Sequence, residues 1–103
     1  MLSAHDHKII AEALRAAAEG PFFPDWEFHT LFGLEREEVR AYAKSYHPAT
    51  DVPVKMGYAV HNAIGNLLGY PHGKESEWSN WLSVTRSELN AVFERWRSEY
   101  DYA

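Results

Sequence analysis

Asp25 and His29 stand four residues apart, the spacing at which two side chains meet on one helical face. A carboxylate beside an imidazole supports two kinds of chemistry: proton transfer by a more basic ring, or shared coordination of a metal ion. The plain structural use of the same pair is an aspartate capping a helix with a histidine on the surface nearby. Six histidines occur in 103 residues. His61 lies within an apolar, helix-like stretch and His72 lies close to Glu75, whereas His5 and His7 are two apart, about 200° round a helix, and cannot chelate together. Asp25, His29, His61 and His72, with Trp26 as a wall, are therefore the residues that would form a small-ligand or metal site between the two halves of the chain. None of them has the spacing of a dedicated motif. There is no H-E-x-x-H, no E-x-x-H, no G-x-S-x-G, no Gly-rich phosphate loop and no cysteine. Thiolate metal sites, disulfides and cysteine nucleophiles are excluded, and no cofactor is expected.

Three large apolar residues, Phe22, Phe23 and Trp26, fall outside the helical stripes described below. They either plug the core or form a binding surface with His29, Tyr70 and His72. Gly57, His61, Gly65 and Gly69 recur every four residues. Interior glycines each cost a helix about 1 kcal/mol against alanine, which predicts a close helix–helix crossing along that flank. Asn62 and Asn66 project away from Val60, Ile64 and Leu67, toward solvent, the start of the chain or a partner.

Charge argues against nucleic acid. The net charge is −5, with no basic arm. The first candidate recognition helix of a helix-turn-helix would begin with Glu35, Glu37 and Glu38, which would face phosphates. No apolar run reaches the roughly 20 residues of a membrane span, and the N-terminus lacks the basic and apolar regions of a signal peptide. A cytoplasmic location is the expectation.

The elements that must position these groups emerge on shifting the chain by 50 residues against itself. Seventeen of the 24 apolar positions in residues 1–50 then meet apolar positions, where random placement gives about ten. The stripe Ile10, Ala13, Leu14, Ala17 returns as Val60, Ala63, Ile64, Leu67. The first of these helices opens at Ser3 and stops at Gly20-Pro21; the second opens after Asp51 and stops at Gly69-Tyr70-Pro71. Short helices are predicted over 25–32 and 75–82. A third pair follows: Thr85 and Glu88 make a capping box with Val84 and Leu89 as the hydrophobic staple, and Leu34, Glu35, Glu38 and Val39 hold the same places. His47-Pro48 ends the first of this pair, and the second runs to about Tyr100. The reading is a single all-α domain, a compact bundle of about six helices built as a pseudo-duplicated three-helix unit (1–50 and 51–100). Leu14, Phe28, Leu31, Phe32, Val39, Ile64, Leu67, Trp78, Trp81, Leu89, Phe93 and Trp96 are its expected core.

The segment Pro21-Phe22-Phe23-Pro24-Asp25-Trp26-Glu27-Phe28-His29-Thr30-Leu31-Phe32-Gly33-Leu34, with Leu67-Leu68-Gly69-Tyr70-Pro71-His72-Gly73, resembles stretches of short, uncharacterised bacterial all-helical proteins. The resemblance implies a small bacterial cytoplasmic protein and carries no activity and no site residues. Without a catalytic motif, the chain reads as a helical protein-interaction or regulatory protein that pairs with a protein partner or with itself, not with nucleic acid or membrane. The alternative is the small-ligand or metal-binding protein, enzymatic or not, with its site between the halves.

Overall fold

Each helix begins and ends where local chemistry supplies the missing backbone partners. Ser3 Oγ accepts from the Asp6 amide at 3.0 Å and the Asp6 carboxylate accepts from the Ser3 amide at 3.1 Å, a closed capping box that starts α1 (Ala4–Glu19). Gly20 closes α1. A Cβ there would lie 2.5 Å from the Ala16 carbonyl oxygen and 3.0 Å from the Phe22 ring, so only glycine fits. α2 (Asp25–Phe32) follows Pro24 and ends at Gly33, whose φ of 68° is the left-handed conformation that glycine adopts without strain. α3 (Arg36–Ser45) starts with the Glu38 carboxylate accepting from the Glu35 amide at 3.1 Å. α4 (Val54–Gly69) follows Pro53. A 3₁₀ turn (Glu75–Glu77) leads into the one-turn helix α5 (Trp78–Trp81). α6 (Arg86–Tyr100) opens with the Thr85–Glu88 capping box at 3.0 and 3.1 Å. The computed structural model describes residues 2–47 and 52–100. Among these there are six α-helices and no strand, in a body of 33 × 26 × 25 Å. The expected start signal at Asp51 and the stop at Pro48 lie outside the described residues; α3 already ends at Ser45.

The helices are arranged around a central pair. α1 and α4 pack on each other; α3 flanks α1 and α6 flanks α4, while α2 sits against α4 and α5 against α1. The apolar stripes explain this. Ile9, Ile10, Ala13, Leu14, Ala16, Ala17 and Ala18 are all buried on α1, with alanine dominating where neighbours press from more than one side. Ala59, Val60, Ala63, Ile64 and Leu67 do the same on α4. Leu14, Phe28, Phe32, Val39, Ile64, Leu67, Leu89 and Trp96 are buried as the periodicity predicts. Leu31, Trp78, Trp81 and Phe93 are only partly buried. For three of them the reason is a guanidinium roof. Arg15 lies 4.8 Å over Trp81, Arg86 5.3 Å over Trp78 and Arg97 5.5 Å over Phe93, so the rings sit at helix edges with their outer faces under a cation.

Two arginines tie the parts together in the same manner. Arg36 Nη1 donates to the Ala17 and Ala18 carbonyls at 3.3 and 3.0 Å, Nη2 to the Phe23 carbonyl at 2.7 Å and Nε to Asp25 at 2.9 Å, with the guanidinium 4.4 Å over Phe28. Fifty residues on, Arg86 donates to the carbonyls of Leu67 (3.2 Å) and Leu68 over Trp78. α1 and α4 carry no basic residue in their last turns, so these arginines supply the positive charge their C-terminal carbonyls favour. Across the middle, Asn62 Nδ2 donates to the Phe32 carbonyl (2.9 Å) and Asn66 Nδ2 to the Leu31 carbonyl (3.0 Å). These asparagines, expected to face solvent, the start of the chain or a partner, satisfy the last turn of α2. Glu12, from α1, accepts from the Ser83 amide and hydroxyl at 2.9 Å in the matching turn after α5. At Gly65 and Gly69 the glycine track on α4 is not a tight backbone crossing. A Cβ at Gly65 would meet only the Phe93 ring, at 3.5 Å, and one at Gly69 would meet nothing within 4 Å.

The ends of the described chain are joined by Asp6, which is 3% exposed, and Arg95, through bonds of 2.8 and 3.0 Å. The Arg95 guanidinium, aided by the Ser3 bonds and opposed by burial, holds the Asp6 carboxyl down at about 2. A depressed carboxyl stabilises the fold above its unfolded value near 3.9 and loses that contribution as pH falls toward 2. Urea denaturation is expected to show on the order of 2 kcal/mol from this group at pH 5 and little at pH 2, and Asp6→Asn should flatten that part of the acid limb. Replacing Arg36 by Met, which keeps the stem but removes its hydrogen bonds to three buried-side carbonyls, should cost about 2–3 kcal/mol in the same assay at pH 7. Arg86→Met, at a more exposed site, should cost about 1 kcal/mol.

Candidate functional site

The α2–α3 junction brings two of the expected donors to one place. The αL turn at Gly33 folds α3 back beside α2, and the two helices enclose a surface cleft of about 270 Å³ lined by Asp25, Phe28, His29, Glu35, Arg36 and Glu37. Phe28 is its apolar floor, buried under Arg36. His29 Nδ1 pairs with Glu35 Oε1 at 2.6 Å, and both side chains are about two-thirds exposed. Asp25 is not a helix cap; Pro24 holds that position, and the carboxylate is bound to Arg36 Nε. The interaction that spacing alone suggested, Asp25 with His29, is thus replaced by two crossed pairs, Asp25–Arg36 and His29–Glu35. Helical periodicity reaches only within α2, and both true partners come from the other side of the Gly33 turn.

Trp26 stands beside this cleft, one step round the helix from His29, and is 81% exposed. It is the most exposed of the large apolar residues described, ahead of Val54 and Tyr58 near the start of α4. The other two members of the aromatic segment lie inside. Phe22 is 1% and Phe23 4% exposed. Phe22 points toward the second half of the chain, with its ring centre 4.9 Å from His72 and 6.2 Å from Trp78; Phe23 lies against α2, 6.5 Å from Phe28 and 5.4 Å from Phe32, and also meets Tyr70 of the second half at 5.8 Å. They are the plug between α2 and α5, so a surface built on Phe22 and Phe23 is corrected to one without them. Tyr70 is partly buried and donates to Glu27, which raises its hydroxyl above the ordinary range.

The histidines do not gather. His29 lies in the α2–α3 cleft. His72 accepts from the Lys74 amide at Nδ1 (2.9 Å) and lays its ring edge-on to Phe22. His61 lies against Phe93, 5.2 Å between ring centres, and burial, with Arg97 nearby, pushes its imidazole below the ordinary range. Among the described residues no three histidine or carboxylate side chains are placed to hold a metal ion. The arrangement expected of Asp25, His29, His61 and His72 as one site between the halves is therefore not formed; the first two share a cleft and the others have separate neighbours. No helix of the described chain is long and apolar enough to cross a membrane.

Sequence reasoning missed Glu35, Arg36 and Glu37 as components of this cleft. The run of carboxylates read only as favourable charge at a helix start, and nothing in the spacing showed that Arg36 would turn inward while its neighbours turned out. The division between plug and surface is open to measurement. Phe22→Ala should cost about 3–5 kcal/mol in urea denaturation, whereas His29→Ala should stay within about 0.5 kcal/mol of the parent. Compared with protein-family models, with curated proteins and with solved structures, the chain finds no match, so what the cleft and Trp26 do is read from their own geometry.

Proposed function

We propose that this is a non-catalytic helical interaction protein whose docking face is the α2–α3 edge, anchored by Trp26. The observation that carries the reading is the 81% exposure of a tryptophan beside a shaped cleft, on a helix held rigidly by Arg36 and by Asn62 and Asn66. Tryptophan is the residue type most enriched among side chains that dominate interface energies. An exposed one adds nothing to the core and leaves its large apolar area available to a partner. The remaining components suit recognition better than catalysis: His29 and Glu35 are solvated and paired with each other, Arg36 is engaged by the Ala17, Ala18 and Phe23 carbonyls, and no serine, threonine or cysteine is among the described residues that line the cleft.

We infer also that the scaffold is a duplicated three-helix unit. Supporting this, Arg36 with Ala17, Ala18 and Phe28 recurs as Arg86 with Leu67, Leu68 and Trp78, each partner shifted by 50 positions. The bonds from Asn62 to Phe32 and from Ser83 to Glu12 join each unit's first helix to the other's turn. On this reading the docking face belongs to one unit only, because the second connection carries His72, Gly73 and Lys74 in place of a bulky aromatic segment.

A photo-crosslinking residue placed at position 26 is expected to give a discrete adduct in the cells of origin. The captured partner, purified, should bind the parent at least tenfold more tightly than Trp26→Ala, while the variant's melting temperature stays unchanged. A Trp26→Ala protein that melts several degrees lower, or binds as well as the parent, removes the docking face.

A further inference from the structure

The rim of the cleft presents one sign of charge to solvent. The side chains of Asp25, Glu37 and Glu35 are 93%, 81% and 67% exposed. The cations among them are turned inward: Arg36 is 19% exposed and spent on the carbonyls of Ala17, Ala18 and Phe23, and Arg40 is 26% exposed and spent on Glu19 and Glu37. A partner approaching Trp26 therefore meets carboxylates. A second feature concerns aromatic faces. Phe28, Trp78, Trp81 and Phe93 are each roofed by an arginine from a neighbouring turn or helix, 4.4 to 5.5 Å from the ring centre. Among the described residues no such cation covers Trp26. Its indole is an open π face beside solvent-exposed carboxylates whose present partners are Arg36, His29 and Arg40, a setting in which an incoming cation is attracted by the ring quadrupole and can share those carboxylates.

Resting on the docking face proposed above, we infer that its partner is a protein segment rich in lysine or arginine. One cation lies across the Trp26 indole and a neighbouring one enters the α2–α3 cleft against Glu35 and Glu37. The cleft, about 270 Å³ and open to solvent, has room for the end of a long basic side chain between Glu35 and Glu37. Acidic segments and phosphorylated ones are rejected by the same carboxylates.

The test is an NMR titration of the full-length ¹⁵N-labelled protein with a nine-arginine peptide at low salt, the Trp26 indole N–H being assigned from Trp26→Leu. Saturable movement of that signal and of the backbone amides of residues 35–37 is expected, with affinity reduced about tenfold by Trp26→Leu, which keeps an apolar group but no π face. Glu37→Gln should weaken binding severalfold, and 300 mM salt should weaken it further. Two further probes separate this inference from the reading it rests on. An uncharged amphipathic helical peptide that moves the Trp26 signal at lower concentration than nona-arginine overturns the basic partner and leaves the docking face standing. Concentration-dependent broadening of Trp26 without any peptide makes a second copy of the chain the occupant and overturns the inference likewise. Shifts scattered over all carboxylates with Trp26 unmoved overturn it as non-specific attraction. If no probe moves Trp26 and the position-26 crosslinker yields no adduct, both readings fall.

Discussion

Arg36 is the constraint on which most of the molecule turns. A guanidinium has five donors in a fixed plane, and here that plane lies on Phe28 while four bonds run to the Ala17, Ala18 and Phe23 carbonyls and to Asp25. One side chain thereby closes the C-terminal end of α1, fixes the connection into α2 and sets the distance between α2 and α3. A lysine could neutralise the same charge but could not hold three carbonyls and cover a ring. The repetition of the device by Arg86 over Trp78 ends α4 in the same way. The inward turn of Arg36 has an outward effect: with its charge used internally, the adjacent carboxylates are left to define the potential of the surface.

The middle of the molecule accommodates only one aromatic plug. Phe22 and Phe23 fill the space between α2 and α5, Phe22 leaning on His72 and Trp78 and Phe23 on Phe28, Phe32 and Tyr70. A second pair of phenylalanines in the connection after α4 would need the same volume, and packed interiors have no room for it. That connection instead brings His72 edge-on to Phe22 and passes on through Gly73, whose φ of 67° suits glycine. The mismatch between the two connections, which in the sequence suggested an exposed surface, is for Phe22 and Phe23 a consequence of shared space. Only Trp26 escapes it.

How much was legible follows from the range of each interaction. Capping boxes and stripes act within four residues, so the limits of α1, α2 and α6 and the burial of Leu14, Val39, Ile64 and Trp96 could be read directly. The outward rings of Trp78 and Trp81 could not, because the arginines that roof them are placed by a turn or by tertiary packing. Asn62 and Asn66 looked like solvent-facing residues, since a polar side chain opposite an apolar stripe has the same signature whether it meets water or the unpaired carbonyls of another helix. At the cleft, Asp25 and His29 were visible as a pair by spacing. Their actual partners lie 11 and 6 residues away across a left-handed turn, beyond the reach of any periodicity.

The exchange of short helices between the halves, with α2 resting on α4 and α5 on α1, also governs how the chain must fold. In a simple up-and-down bundle, consecutive helices pair and each hairpin covers much of its own apolar surface. Here the two central helices begin 50 residues apart, and the last carbonyls of α2 accept from amide groups 30 and 35 residues further along. The Asp6–Arg95 link spans 89 residues. Loop closure on that scale must precede most of the burial that rewards it, which places the protein toward the slow end of small helical folders.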